Sequence, residues 1–242
     1  MPVIIELELR ATWPLQTTTR QLHGLACAIF EGDHAENHSG HDKPFGIWPL
    51  SRTDNGPAGQ LDGWLLRAAW LRPDPPKSVL TSQIRLGHVT CIITNMAHEA
   101  ATHEELARAT PIDHATATFH SPTYFSQNGT DVVTPDPRLI VGSWRRRWDG
   151  SLPAGHALAI NDEAWRETLR ALRLGDFDLH TKRMDSGRGH DRSGFTGTAS
   201  LRLAKEATSA SRQLFARLVK FSDFSGTGAQ TTHGFGATTA SP

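Results

Sequence analysis

Val3-Ile4-Ile5-Glu6-Leu7-Glu8-Leu9-Arg10 alternates apolar and charged positions, and a period of two predicts a half-buried strand. After Pro14 and a run of threonines, Leu22, Leu25, Ala26 and Ile29 recur at helical spacing up to Phe30, which predicts a helix with one apolar face. Glu31 to Asp42 is polar, contains glycine and is rich in histidine, the composition of a loop or a short irregular helix. Lys43 to Leu50 is strand-like again, with prolines that suit an edge. Asp54-Asn55-Gly56-Pro57 marks a turn, and Trp64, Leu66, Ala68 and Trp70 alternate through the next predicted strand. Pro75-Pro76 precedes a predicted helix from Lys77 to Leu86, and His88 to Met96 is β-branched and apolar enough for a further strand. The order β-α-β-β-α-β is the ferredoxin-like one, in which two helices cover one face of a four-stranded antiparallel sheet.

The pattern then restarts. Ala115 to His120 is a strand candidate, Asn128-Gly129 a hairpin turn, and Pro135-Asp136-Pro137 opens a helix running to Trp148. Asn161 is a plausible cap for a second helix, Asp162 to Leu174. Strands are expected at Asp176 to Arg183 and Gly194 to Leu203, a helix from Ala204 to Phe221, and a closing strand around Phe235 to Thr238. The expectation is an α+β chain of two tandem ferredoxin-like (βαββαβ) domains, residues 1–108 and 114–242. They are joined near Ala107 to Asp113, and the second has an added helix.

Between the last helix and the last strand lie two Gly-x-Gly pairs, Gly226 with Gly228 and Gly234 with Gly236, five small or polar residues apart. Glycine admits positive φ and lets a phosphate approach main-chain N–H groups, so the arrangement reads as a cradle for a polyanion; the other reading is a flexible tail. Charge changes the picture further. The 242 residues carry a formal net charge of zero, yet between Arg138 and Lys220 there are 16 Lys and Arg against 9 Asp and Glu. That basic half is where a phosphate backbone would be held. The candidates are Arg145, Arg146 and Arg147 at a helix end, then Lys182, Arg183, Arg188 and Arg192. No RNP-type aromatic signature is present, so stacking of bases on an open sheet is not the favoured mode for such a ligand. No apolar run approaches the roughly 20 residues of a membrane helix, and Glu6 and Glu8 interrupt the first strand where a signal peptide would be apolar. A cytoplasmic protein with no membrane partner is expected. Cys27 and Cys91 sit in apolar stretches and read as core residues rather than a disulfide.

His34, His38 and His41 crowd one loop, just before Lys43. Their spacing is compatible with a metal site, with a lone catalytic histidine able to move protons near neutral pH, or with solvated side chains. A lysine beside that histidine would neutralise charge on a phosphate in its transition state.

Several elements occur in an order that resembles a known family. They are Leu22-His23-Gly24-Leu25, a short loop with His38, Lys43-Pro44-Phe45, Phe119-His120-Ser121-Pro122-Thr123, Gly194-Phe195-Thr196-Gly197, Gly226-Thr227-Gly228 and Gly234-Phe235-Gly236. Together they are similar to the CRISPR-associated repeat-processing endoribonucleases of the RAMP superfamily. The resemblance implies cleavage of precursor CRISPR RNA within each repeat, with neither metal nor other cofactor. His38 matches the catalytic histidine, with His41 its rival, and Lys43 matches a lysine that some members use. The glycine-rich loop would grip RNA. Certain members carry a tyrosine on the first helix, whereas the single tyrosine here is Tyr124 and Cys27 or a neighbour takes that place. The expected partner is a hairpin or otherwise structured CRISPR repeat, with other CRISPR effector subunits as further partners. Two other functions stay open: an inactive RAMP-type RNA-binding subunit of an effector complex, and a histidine-cluster metallohydrolase.

Overall fold

The structure is a computed structural model and describes residues 1–11, 17–31, 43–54, 61–76, 82–185 and 191–242. Twelve strands and five helices among them are numbered in chain order. Strand β1 (Val3–Ala11) leads to helix α1 (Thr19–Glu31), followed by β2 (Phe45–Ile47), β3 (Ser51–Asp54), β4 (Asp62–Trp70), β5 (Gln83–Leu86) and β6 (Val89–Ala100). Helix α1 begins on a reciprocal cap: the Gln21 amide donates to the Thr18 hydroxyl, and the Thr18 amide donates to Oε1 of Gln21. The strands form one sheet in the order β2-β4-β1-β6-β5, with β3 also paired to β4. Every pairing is antiparallel. Counting β2 and β3 as one position, the first four positions follow the ferredoxin-like order, and β5 is an added strand at the edge beyond β6.

One element changes type relative to the sequence expectation, and the helix expected over Asp162–Leu174 stops at Ala171, a strand beginning at Leu172. The helix foreseen from Lys77 to Leu86 is a strand over Gln83–Leu86, paired with β6; residues 77–81 lie outside the described residues. Gln83-Ile84-Arg85-Leu86 alternates polar and apolar positions, and Gly87 has a φ of 61°. A positive φ there closes a two-residue hairpin with Leu86 opposite Val89, so strand period and turn chemistry together override the proline signal.

A short helix α2 (His103–Ala107) links to the second fold, capped by Thr102 and Glu105 in a capping box. Gln213 fastens the link by donating from Nε2 to the carbonyls of Ala107 and Ala109. Then come β7 (His114–Thr123), the hairpin β8 (Phe125–Gln127) and β9 (Thr130–Val132), α3 (Pro137–Ser151), α4 (Asp162–Ala171), β10 (Leu172–Met184), β11 (Arg192–Leu203), α5 (Ser209–Ser225) and β12 (Thr238–Ser241). The sheet order is β10-β11-β7-β12, a complete ferredoxin-like sheet with α4 added. The chain is thus an α+β protein of two tandem ferredoxin-like folds. Asp136 and Asn161 cap α3 and α4 as their sequences foretell.

Apolar faces gather in two cores. Leu7, Leu9 and Leu66 pack with Leu22, Phe30 and Phe45 around α1. The larger core joins Phe119, Phe195 and Leu201 of the second sheet to Trp144, Trp148 and Phe215. It also takes in Ile4, Ala69 and Leu71 from the first sheet, so burial of apolar area holds the two folds against each other.

Candidate functional site

The glycine-rich segment runs from the end of α5 back into the sheet through five residues at positive φ: Gly226 (63°), Gly228 (83°), Gln230 (55°), Gly234 (91°) and Gly236 (66°). Between the pairs, Thr231–His233 makes one 3-10 turn. These φ values hold residues 234–237 in a turn, which delays the last strand to Thr238.

The segment is not an open cradle of main-chain donors. The Thr227 amide donates to the Gly236 carbonyl at 2.8 Å, Gly236 to Pro122 at 3.1 Å, Ala229 to Tyr124 at 2.8 Å, and Gly226 to Ser222 at 2.9 Å. The Gly228 amide donates to the Ser143 hydroxyl at 3.0 Å and Ala237 to the Ser121 hydroxyl at 2.9 Å. Below them Trp144 donates its indole N–H to the buried Thr227 hydroxyl at 2.8 Å. These six amides serve the fold, so what the loop offers a ligand is the turn between them, Gln230–His233. Tyr124, the single tyrosine, is buried under the loop with its ring edge-on to Phe235. Burial pushes its hydroxyl up to about 12, which keeps it a neutral core group.

That turn faces α1. His23 and His233 stack with ring centroids 4.0 Å apart and planes within 3°. Nδ1 of His23 lies 3.0 Å from the Thr232 carbonyl. A carbonyl only accepts, so Nδ1 carries the proton, and in the neutral ring Nε2 holds the lone pair. Nε2 has Cys27 Sγ at 3.7 Å. Burial, aided by the Glu31 charge, raises that thiol to about 11, so it stays protonated. His233 is held down to about 4 by burial and then by its stacked neighbour. Neither histidine was singled out by sequence. The signal lay in Leu22-His23-Gly24-Leu25 and in a histidine flanked by the glycine pairs, but only folding brings residues 23 and 233 together.

Around this stack opens a cleft of about 1220 Å³, lined also by Lys43, Arg145, Arg146, Arg147 and Gln230. Its charge is strongly positive, Asp149 being the one carboxylate in the lining among the described residues. The three arginines do different work. Arg145 is committed to Asp149 at 3.2 Å and Asp162 at 2.5 Å, and lies over the Trp165 ring. Arg147 clamps the first fold to the second, donating to the carbonyls of Lys43 at 2.8 Å and Phe45 at 2.6 Å. Arg146 is exposed and has no carboxylate partner among the described residues.

Lys43 is buried, and its ammonium sits 2.7 Å and 2.9 Å from the two carboxylate oxygens of Glu31. That pair joins the last residue of α1 to the first described residue after the histidine-rich loop. His38 and His41, with His34, lie outside the described residues, as does Arg188. The remaining candidates fall elsewhere. Arg192 pairs with Asp131 at 2.6 Å and stands over the Tyr124 ring. Lys182 and Arg183 are exposed near the end of β10, beside a second pocket.

A family model described as CRISPR-associated endoribonuclease Cas6 matches residues 117–238, half of the chain. Two Mycobacterium tuberculosis proteins of that description are 30% identical over 128 residues, a stretch covering 51% of this chain and 38% of theirs. The chain thus matches only about two fifths of the length of those relatives. Among solved structures, a Cas6 product complex is similar over 100% of both chains, with a TM-score of 0.81 and 26% identity. Thermus thermophilus Cas6 is similar over 100% of this chain and 98% of its own, with a TM-score of 0.74 and 26% identity. No helix among the described residues is long and apolar enough to cross a membrane. The matched region takes in most of β7, all of β11 and α5 and the whole glycine-rich segment, and the chain belongs to the CRISPR-associated endoribonuclease Cas6 family.

Proposed function

We propose that the chain is a metal-independent endoribonuclease that cuts precursor CRISPR RNA inside each repeat. The observation that supports it best is the cationic cleft, where Lys43 returns the histidine-rich loop to a wall carrying Arg146 and the His23–His233 stack. Such a wall attracts a phosphodiester and stabilises charge on it. RNA brings its own nucleophile. A base takes the 2′-OH proton, O2′ attacks the adjacent phosphorus, and the P–O5′ bond breaks as an acid protonates O5′. The products are a 2′,3′-cyclic phosphate and a 5′-OH.

His38 is the proposed proton-transfer residue, with His41 next in line, and His23 is the second histidine of the site. Lys43, though paired with Glu31, adds positive potential at the scissile phosphate, and Arg146 grips the backbone. Residues 1–108 then form the domain carrying the catalytic loop. Residues 114–242 form the domain that holds a hairpin or structured repeat, the glycines acting by shaping the turn at Gln230–His233. Because the internal nucleophile must be in line with the leaving oxygen, much of the rate comes from how the RNA is held.

The test is incubation of a cognate repeat transcript with the protein in EDTA. Cleavage leaving a 2′,3′-cyclic end is expected, along with binding but no cleavage of a repeat carrying one 2′-deoxy nucleotide at the scissile position. His38→Ala should abolish cutting and leave binding nearly intact. Wild-type protein that binds but never cuts its repeat would instead make the chain an RNA-holding subunit of an effector complex. Loss of cutting in EDTA would return the histidine cluster to a metal.

A further inference from the structure

A second pocket, of about 460 Å³, opens where β4 and the segment after β2 meet β7 and the end of β10. Its wall is a layered column. The Arg67 guanidinium lies 4.4 Å from the centre of the Trp48 ring, and the His120 imidazole stacks on Trp48 at 5.0 Å with planes tilted by 27°. Nε2 of His120 is 2.8 Å from the Thr239 hydroxyl, which fixes the ring, and the residue remains exposed. Burial and the Arg67 charge both lower the basicity of His120, so the neutral, stackable imidazole is favoured. Leu50, Leu65, Pro122 and Met184 supply apolar surface. Lys182 and Arg183 stand at the same pocket, both exposed and without a carboxylate partner among the described residues.

A largely apolar slot with an aromatic platform and two uncommitted cations, its one lining carboxylate, Glu6, being paired with Arg67 at 3.6 Å, has the chemistry of one nucleotide. Its volume suits a small ligand. We infer that this pocket takes an unpaired nucleotide of the bound RNA, its base against the Trp48–His120 column and its phosphate on Lys182 and Arg183. The inference rests on the RNA-processing reading and adds to it a contact with single-stranded RNA outside the cleft that holds His23 and Lys43. Aromatic stacking thus enters through a pair of rings 72 residues apart in sequence.

The experiment titrates repeat RNA with its unpaired flanks against wild type, Trp48→Ala and Trp48→Phe, replacing each unpaired nucleotide in turn by an abasic one. Trp48→Ala is expected to weaken binding about tenfold, within the range for one stacked base, and Trp48→Phe to retain most of the affinity. One abasic position should cost wild type that same factor and cost Trp48→Ala nothing. Lys182→Ala with Arg183→Ala, which removes charge and no buried packing, should lower the salt dependence of binding by about one phosphate. Equal costs for wild type and Trp48→Ala at every abasic position, or an unchanged salt dependence, would overturn the inference. So would tight binding of a free mononucleotide that RNA does not displace. Wild-type cleavage is scored in the same samples. If it is intact while no position depends on Trp48, the pocket assignment alone fails; if wild type never cuts, the endoribonuclease reading fails.

Discussion

Gly236→Ala is the sharpest test of the glycine segment, because the same exchange at Gly24 should have the opposite sign. A Cβ on Gly236 would lie 1.9 Å from the Thr227 carbonyl oxygen, at a φ of +66°. Holding alanine in the left-handed region costs about 1–2 kcal/mol. Relieving the clash means separating two backbone strands, which breaks the Thr227–Gly236 hydrogen bond and shifts the hydroxyl that accepts from Trp144. A buried donor left unpaired costs about 1–3 kcal/mol. The sum is about 4 kcal/mol, a drop of about 8–16 °C in Tm for a chain of this size. Gly24 lies inside α1, and nothing stands within 4 Å of a Cβ there. Alanine should therefore add about 0.5–1 kcal/mol through helix propensity. Thermal and urea unfolding, followed by circular dichroism, measure both. A Gly236→Ala protein melting within a degree of wild type would refute the knitted loop described above.

Gly234→Ala should be milder for stability, costing about 1–2 kcal/mol, since its Cβ meets the flexible end of the Leu22 side chain at 2.7 Å and Met184 and Pro49 only at 3.8 Å. It should still cut cleavage tenfold or more by moving the neighbouring His233 off His23, and unchanged single-turnover rates would sink that link. Burial holds His103 and His233 down to about 4, from an ordinary 6.5. As pH falls the unfolded chain takes up these protons first, so stability is complete above about pH 6.5 and is lost towards pH 4, by about 3 kcal/mol for His103 alone. His103→Gln should flatten the urea midpoint over that range, and an unaltered slope would count against the assignment. Arg146→Ala should reduce the salt slope of RNA binding by about one and leave Tm unchanged. Arg147→Ala should lower stability by about 3–6 kcal/mol through two lost charged hydrogen bonds; the reverse pattern would exchange their roles.

Most of the second fold was legible because its signals agree. The strand alternation of β7 and β11, the Asp136 and Asn161 caps and the Asn128-Gly129 turn all point one way, and Asn128 and Gly129 both adopt positive φ. The first fold misled where two local signals compete: Pro75-Pro76 reads as a helix start, while Gly87 and the alternation at Gln83–Leu86 build a hairpin. The basic character of the site was legible too, but not its division of labour. Consecutive arginines point in three directions around a helix, so Arg145 meets carboxylates, Arg147 meets the other fold, and Arg146 faces the cleft. Contacts such as His23 with His233 and Trp48 with His120 leave no trace in a local window, because neither partner has a periodic or spacing relation to the other.

The glycine segment joins these observations. The amides flanking its turn are spent on β7 and Tyr124 after it, on α3, on the end of α5 and on the segment itself, and its turn supplies the ring that His23 stacks on and the carbonyl that fixes the His23 proton. The second fold therefore sets the orientation of a histidine on the first. Arg147 acts in the same direction, holding the carbonyls of Lys43 and Phe45 just where the chain leaves the histidine-rich loop. Under the proposed mechanism, neither fold alone would hold a site in register for in-line attack, because His23 on the first fold is oriented by the glycine segment of the second. Glycine is required here less for what it lets RNA touch than for how closely it lets two backbones of this chain approach. A substitution that spares folding but loosens that approach should thus impair chemistry before it impairs binding.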